Sequence, residues 1–141
     1  MEVNIICPKC GNLTDLSTTS ETFIYNIQCS ACESQFTSYL AKVRAKRSRG
    51  DSKSRNRWFS VRVKHPDKTE ALVEFRSDYY SDLELRQSDD VVFSYWKNRV
   101  CIIQNLTINK SYRVAAPDIS ILQVLFAIAF LALILIIFLA F

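Results

Sequence analysis

Four cysteines close to the N-terminus constrain this chain more than any other feature. They form Cys7-Pro8-Lys9-Cys10 and Cys29-Ser30-Ala31-Cys32, two C-x2-C pairs with eighteen residues between them. Pairs at this spacing present two thiolates on each of two tight turns, and together they complete a tetrahedral four-thiolate site. Cys7, Cys10, Cys29 and Cys32 are therefore the expected metal ligands and zinc the expected metal. With all four positions filled by protein, no place remains for water or substrate, so the expected metal is structural. A thiolate site also calls for a compartment in which cysteines stay reduced.

The other end of the chain is apolar. Residues 121–141 are twenty-one residues without a charge, and Gln123 is the only polar one. A helix rising about 1.5 Å per residue would cross a hydrocarbon core of roughly 30 Å in that length. The run lies at the wrong end for a signal peptide. A transmembrane helix over residues 119–141 is expected, making the chain tail-anchored. Lys110 and Arg113 precede the run and no basic residue follows it, so the positive-inside rule places the head in the cytoplasm. The sequons at Asn12, Asn105 and Asn109 would then be chance matches.

Charge divides the remainder. Residues 1–41 carry Lys9 against Glu2, Asp15, Glu21 and Glu33, a net of −3. Residues 42–57 carry eight lysines and arginines against Asp51, a net of +7. Residues 58–114 are nearly balanced, with nine basic and eight acidic groups. This reads as a metal-stabilised unit (1–41), a basic flexible linker (42–57) containing Gly50 and several serines, and a small β domain (58–114). The first unit is below the size that folds on burial alone, so metal binding should supply its stability.

The segment that begins Cys7-Pro8-Lys9-Cys10-Gly11 and ends Ile27-Gln28-Cys29-Ser30-Ala31-Cys32-Glu33-Ser34-Gln35-Phe36 resembles the small four-cysteine zinc-ribbon fingers of prokaryotic proteins, over residues 3–38. The resemblance implies metal binding and leaves function open, because ribbons serve transcription, translation and membrane proteins alike. Cys7-Pro8-Lys9-Cys10-Gly11 also resembles a rubredoxin knuckle, which makes iron the alternative metal. An electron carrier or photosystem assembly factor is then an alternative function. The second knuckle lacks the proline and glycine of that family, and the gap between knuckles is shorter. Phe36, Tyr39, Leu40 and Val43 have helical spacing, compatible with a short helix or with a third ribbon strand.

From Trp58 onward the period is two. Strands are expected around Val61 and Val63, over 71–75, 91–95 and 100–103, and around Tyr112. Turns are expected at 65–68 and 96–99. Five short strands suggest an OB-like barrel or sandwich, so the fold class is mainly β. Cys101 reads as a small buried apolar residue, and His65, the only histidine, as an exposed turn residue. Phe126, Phe130, Ile134 and Phe138 make a lipid-facing or partner-facing stripe.

No nucleophile–base pair, open metal site or phosphate-binding glycine loop is evident, so no enzymatic activity and no small-molecule substrate are expected. The expected role is an accessory, assembly or scaffold factor of a membrane protein complex, held in the lipid bilayer. The alternative is a membrane-tethered nucleic-acid binder. The 42–57 segment would contact anionic lipid or, weakly, nucleic acid, with Trp58 and Phe59 beside Arg55 and Arg57 able to stack on bases. An acidic ribbon and a neutral β domain offer that segment no wider basic face.

Overall fold

The computed structural model describes residues 2–17, 22–51, 53–115, 125–132 and 134. Among them are nine strands: β1 (Glu2–Ile6), β2 (Leu13–Ser17), β3 (Ile24–Gln28), β4 (Gln35–Asp51), β5 (Asn56–Lys64), β6 (Glu70–Ser77), β7 (Asp90–Trp96), β8 (Arg99–Asn105) and β9 (Lys110–Arg113). β1 and β2 form a hairpin of their own. The other seven form one antiparallel sheet in the order β6-β5-β4-β7-β8-β9, with β3 also paired to β4.

The chain is mainly β, as expected, and the strands and turns read from period two beyond Trp58 are present. Lys97 and Asn98 close the β7–β8 hairpin with φ of 49° and 61°, the doubly left-handed geometry that two-residue hairpins favour. The larger architecture differs from expectation. The sheet is open among the described residues, and its edges are β6, β9 and the short β3. It curls strongly all the same. The Phe75 ring of β6 lies 6.3 Å from the Phe93 ring of β7. Three strand spacings of about 4.8 Å would hold them roughly 14 Å apart in a flat sheet. One backbone bond, Asp78 N–H to the Val114 carbonyl at 2.8 Å, ties the two ends of the curl together.

The basic flexible linker expected over 42–57 is instead paired β structure. Lys42 to Asp51 complete the seventeen-residue β4, in register with β5 down to Asp51↔Asn56. Alternation explains it. Val43 points into the core and is fully buried, whereas Arg47 and Arg49 are exposed. The inward Lys46 is satisfied by the Asp82 carboxylate at 2.9 Å and by the Leu83 carbonyl. The segment from Phe36 to Val43, compatible with helix or strand, is the first half of the same strand.

β4 also removes the division into independent domains. Its first half pairs with β3 of the cysteine-bearing part and its second half with β5, while β7 runs along its other side. One face of the sheet closes over Val43, Val61, Val63, Val91, Phe93 and Ile103. The opposite face is covered by the cysteine-bearing part, where Val3, Ile5, Ile27 and Phe36 pack with Val92 and Leu40.

The expected membrane helix falls largely outside the described residues. Residues 125–132 and 134 are helical. Among the described residues no helix is long and apolar enough to cross a membrane.

Candidate metal centre

The two cysteine turns are built alike. In the first, the Cys7 carbonyl accepts from Gly11 N–H at 2.9 Å, and Cys7 N–H donates to the Asn12 carbonyl at 2.8 Å. In the second, the Cys29 carbonyl accepts from Glu33 N–H at 2.9 Å, and Cys29 N–H donates to the Ser34 carbonyl at 2.9 Å. Each turn leads out of a strand, β1 or β3, and so aims its two sulfurs at the other turn.

The four Sγ atoms lie within 4.8 Å of one another, with Cys7–Cys32 at 3.7 Å and Cys10–Cys29 at 3.5 Å. Metal–sulfur bonds of about 2.3 Å in a tetrahedron require sulfurs about 3.8 Å apart. The arrangement therefore fits a metal ion, and all four cysteines are free thiols. Cys7 and Cys29 are buried and Cys10 is exposed, so the cluster sits at the rim of the apolar cluster that holds Val3, Ile5 and Phe36. Burial pushes the Cys7 thiol up to about 12, while hydrogen bonding with Ser34 draws Cys32 down to about 6. Sulfurs this close cannot all carry charge unless a cation joins them.

Residues far along the chain hold the first turn in place. The Arg113 guanidinium donates to the Pro8 carbonyl at 2.8 Å. The Gln104 amide accepts from Ile6 N–H and donates to the Asn4 carbonyl, both at 2.8 Å. Lys9 lies over the Trp96 ring, 5.8 Å from its centroid. Sequence reasoning missed Gln104 and Arg113. The one available signal was a glutamine ending the apolar run Val100-Cys101-Ile102-Ile103.

His65 is away from the cysteines and is half-buried rather than exposed. It stacks on Phe23 with ring centroids 4.2 Å apart. Cys101 is buried beside Ile102 and Ala115. Of the two aromatic residues considered for base stacking, Trp58 is exposed. Phe59 is buried, stacked against Phe75.

The expectation that no wider basic face exists is corrected by the strand registers. Arg49 pairs with Trp58 and Trp58 with Arg76; one same-face row on, Arg47 pairs with Ser60 and Ser60 with Glu74; two rows on, Ala45 pairs with Arg62. The outer face of β4–β5–β6 thus carries Arg47, Arg49, Arg62 and Arg76 around Trp58, with Glu74 among them, because paired residues share a face.

No family model, curated protein or solved structure matches the chain.

Proposed function

We propose that this protein is a membrane-attached binding factor without enzymatic activity, whose head is stabilised by structural zinc at Cys7, Cys10, Cys29 and Cys32. It would serve as an accessory, assembly or scaffold factor of a membrane protein complex on the cytoplasmic side.

The observation that carries the reading is the apolar helical segment. Leu125, Phe126, Ile128, Phe130 and Leu131 are 56–72% exposed, and no residue over 125–132 is polar. A helix that is apolar around its circumference needs lipid or protein on every side. The four-thiolate cluster supports the rest. A metal held by four sulfurs has no open coordination position for chemistry, and its contribution is to folding.

The test is fractionation of the full chain from cells, followed by alkaline carbonate washing and native purification in mild detergent. A chain that resists the wash and elutes with stoichiometric membrane proteins supports the reading. A chain released by carbonate, or one that elutes alone, counts against it. Metal analysis of the same sample decides zinc against iron, the latter being red from thiolate-to-iron absorption.

A further inference from the structure

One end of the head concentrates aromatic and basic side chains, and it is the end from which the apolar segment departs. The Asp78 N–H bond to the Val114 carbonyl (2.8 Å) places the end of β6 beside Val114 and Ala115. These are the last described residues before the helical segment. Asp78 itself is engaged by Arg99 at 2.6 Å and, more loosely, by Arg76 at 3.7 Å, which keeps the Arg76 guanidinium at this end. The next two residues, Tyr79 and Tyr80, are 46% and 47% exposed. Tyr80 lies against the β4–β5 hairpin. Arg57 Nε donates to its carbonyl at 2.8 Å, and the Arg57 guanidinium sits 5.0 Å from its ring centroid. A Cβ on Gly50 would come within 2.8 Å of that ring, so only glycine allows the approach.

The same end carries the row Arg49–Trp58–Arg76, with Trp58 55% exposed. Arg55, in the β4–β5 turn, is exposed as well. Farther up the outer face the rows acquire Glu74, opposite Ser60, and Glu70, opposite Lys64. The row Arg49–Trp58–Arg76 has no acid in it, and Asp51, opposite Asn56, begins the next row toward the turn. Six steps of chain separate Ala115 from the start of the apolar run at Ile121. Fully extended, they reach only about 20 Å. A head tethered by that run therefore stays within about 20 Å of the bilayer, with this end next to the tether.

We propose that Arg49, Arg55, Trp58, Arg76, Tyr79 and Tyr80 form a surface that lies against the headgroups of an anionic bilayer and fixes the orientation of the head. Tryptophan and tyrosine settle at the headgroup level, with an apolar body toward the acyl chains and a polar tip toward water. Arginine binds lipid phosphate bidentately. The proposal rests on the membrane-attachment reading. It adds that the head lies down on the membrane rather than standing off from it.

The test reconstitutes the full chain into vesicles of phosphatidylcholine with and without 30% phosphatidylglycerol, using lipids brominated at shallow acyl carbons. The probe is tryptophan emission, with Trp58→Phe isolating the contribution of Trp58 from that of Trp96. Quenching of the Trp58 component in the anionic vesicles is expected. For the triple variant R49Q/R55Q/R76Q the attraction of the head to the surface should fall about 100-fold, from roughly a factor of five for each arginine. Circular dichroism checks that the variant keeps its sheet. Carbonate extraction of the reconstituted chain separates the two ways of failing. A chain that extracts overturns the attachment reading and this proposal with it. A chain that stays inserted while Trp58 remains unquenched overturns the proposal alone. Trp58 quenched by a single-stranded oligonucleotide but not by lipid also overturns it, in favour of a nucleic-acid surface.

Discussion

Gly11 and Glu33 occupy the same place in the two cysteine turns. Each follows the second cysteine of its pair, each donates its N–H to the carbonyl of the first, and each has positive φ, 80° and 58°. Glycine adopts that conformation without steric cost and glutamate does not. Glu33→Gly should therefore stabilise the head by about 1 kcal/mol, read as a higher urea midpoint with unchanged slope. Gly11→Glu should lower the midpoint by a similar amount. Equal midpoints for all three proteins would show that the turns are not held in this conformation.

Gln104 uses both ends of its amide on β1, and it is 7% exposed. Gln104→Leu keeps the approximate volume but leaves Ile6 N–H and the Asn4 carbonyl without partners. The expected loss is about 2–3 kcal/mol, the penalty of stranding partly buried polar groups. Hydrogen exchange should report it first, in β1 and β2. A Leu variant as stable as the parent, with β1 equally protected, would mean that apolar packing alone seats the cysteine turns on the sheet.

The basic stretch should be among the more protease-resistant parts of the chain. Arg47 and Arg49 sit in a strand paired on one side to Ser60 and Trp58, and trypsin needs an extended, unpaired backbone at the cleaved bond. Cleavage after Lys53 or Arg55, in the turn between β4 and β5, should precede cleavage after Lys46, Arg47 or Arg49. Mass spectrometry of a short digest reads the order. Early cuts at all five sites would restore the picture of a flexible linker.

The cysteines announce their turns and the basic stretch does not announce its strand, because the information lies in different places. A C-x2-C pair is local, and two of them at a suitable gap specify convergence without reference to the rest of the chain. The strands beyond Trp58 were equally legible, because Val61 and Val63 or Val91 and Phe93 alternate with residues that face the other way. In the second half of β4 the inward positions are Val43, Lys46 and Ser48. Only Val43 is apolar, and an irregularity between Val43 and Ala45 breaks the period. What makes Lys46 acceptable there is Asp82 and the Leu83 carbonyl, thirty-six and thirty-seven residues away. Partners so distant leave no mark on a local pattern. The same holds for Arg113 and Pro8, and for the way β4 joins the ribbon-like part to the larger sheet.

That junction determines what metal removal should do. Were the cysteine-bearing part a separate module, chelation would unfold it and leave the remainder untouched. Instead Val92 and Leu40 of the central strands pack directly with Val3, Ile5, Cys7 and Phe36, and Ser38 and Ser94 bond at 2.9 Å on the same face. Chelation, or Cys29→Ser, should abolish protection in β1, β2 and β3 and also lower the stability of the larger sheet. Losing the cover over Val92 alone removes a buried valine, worth about 1.5–3 kcal/mol. Amides of β5 and β8 should remain measurably protected, because their own core, including Val61, Val63, Phe93 and Ile103, does not involve the cysteines. Hydrogen exchange of the full chain before and after chelation measures both effects. Protection that persists in β1 after the metal is gone would show that the cysteines add little to the fold.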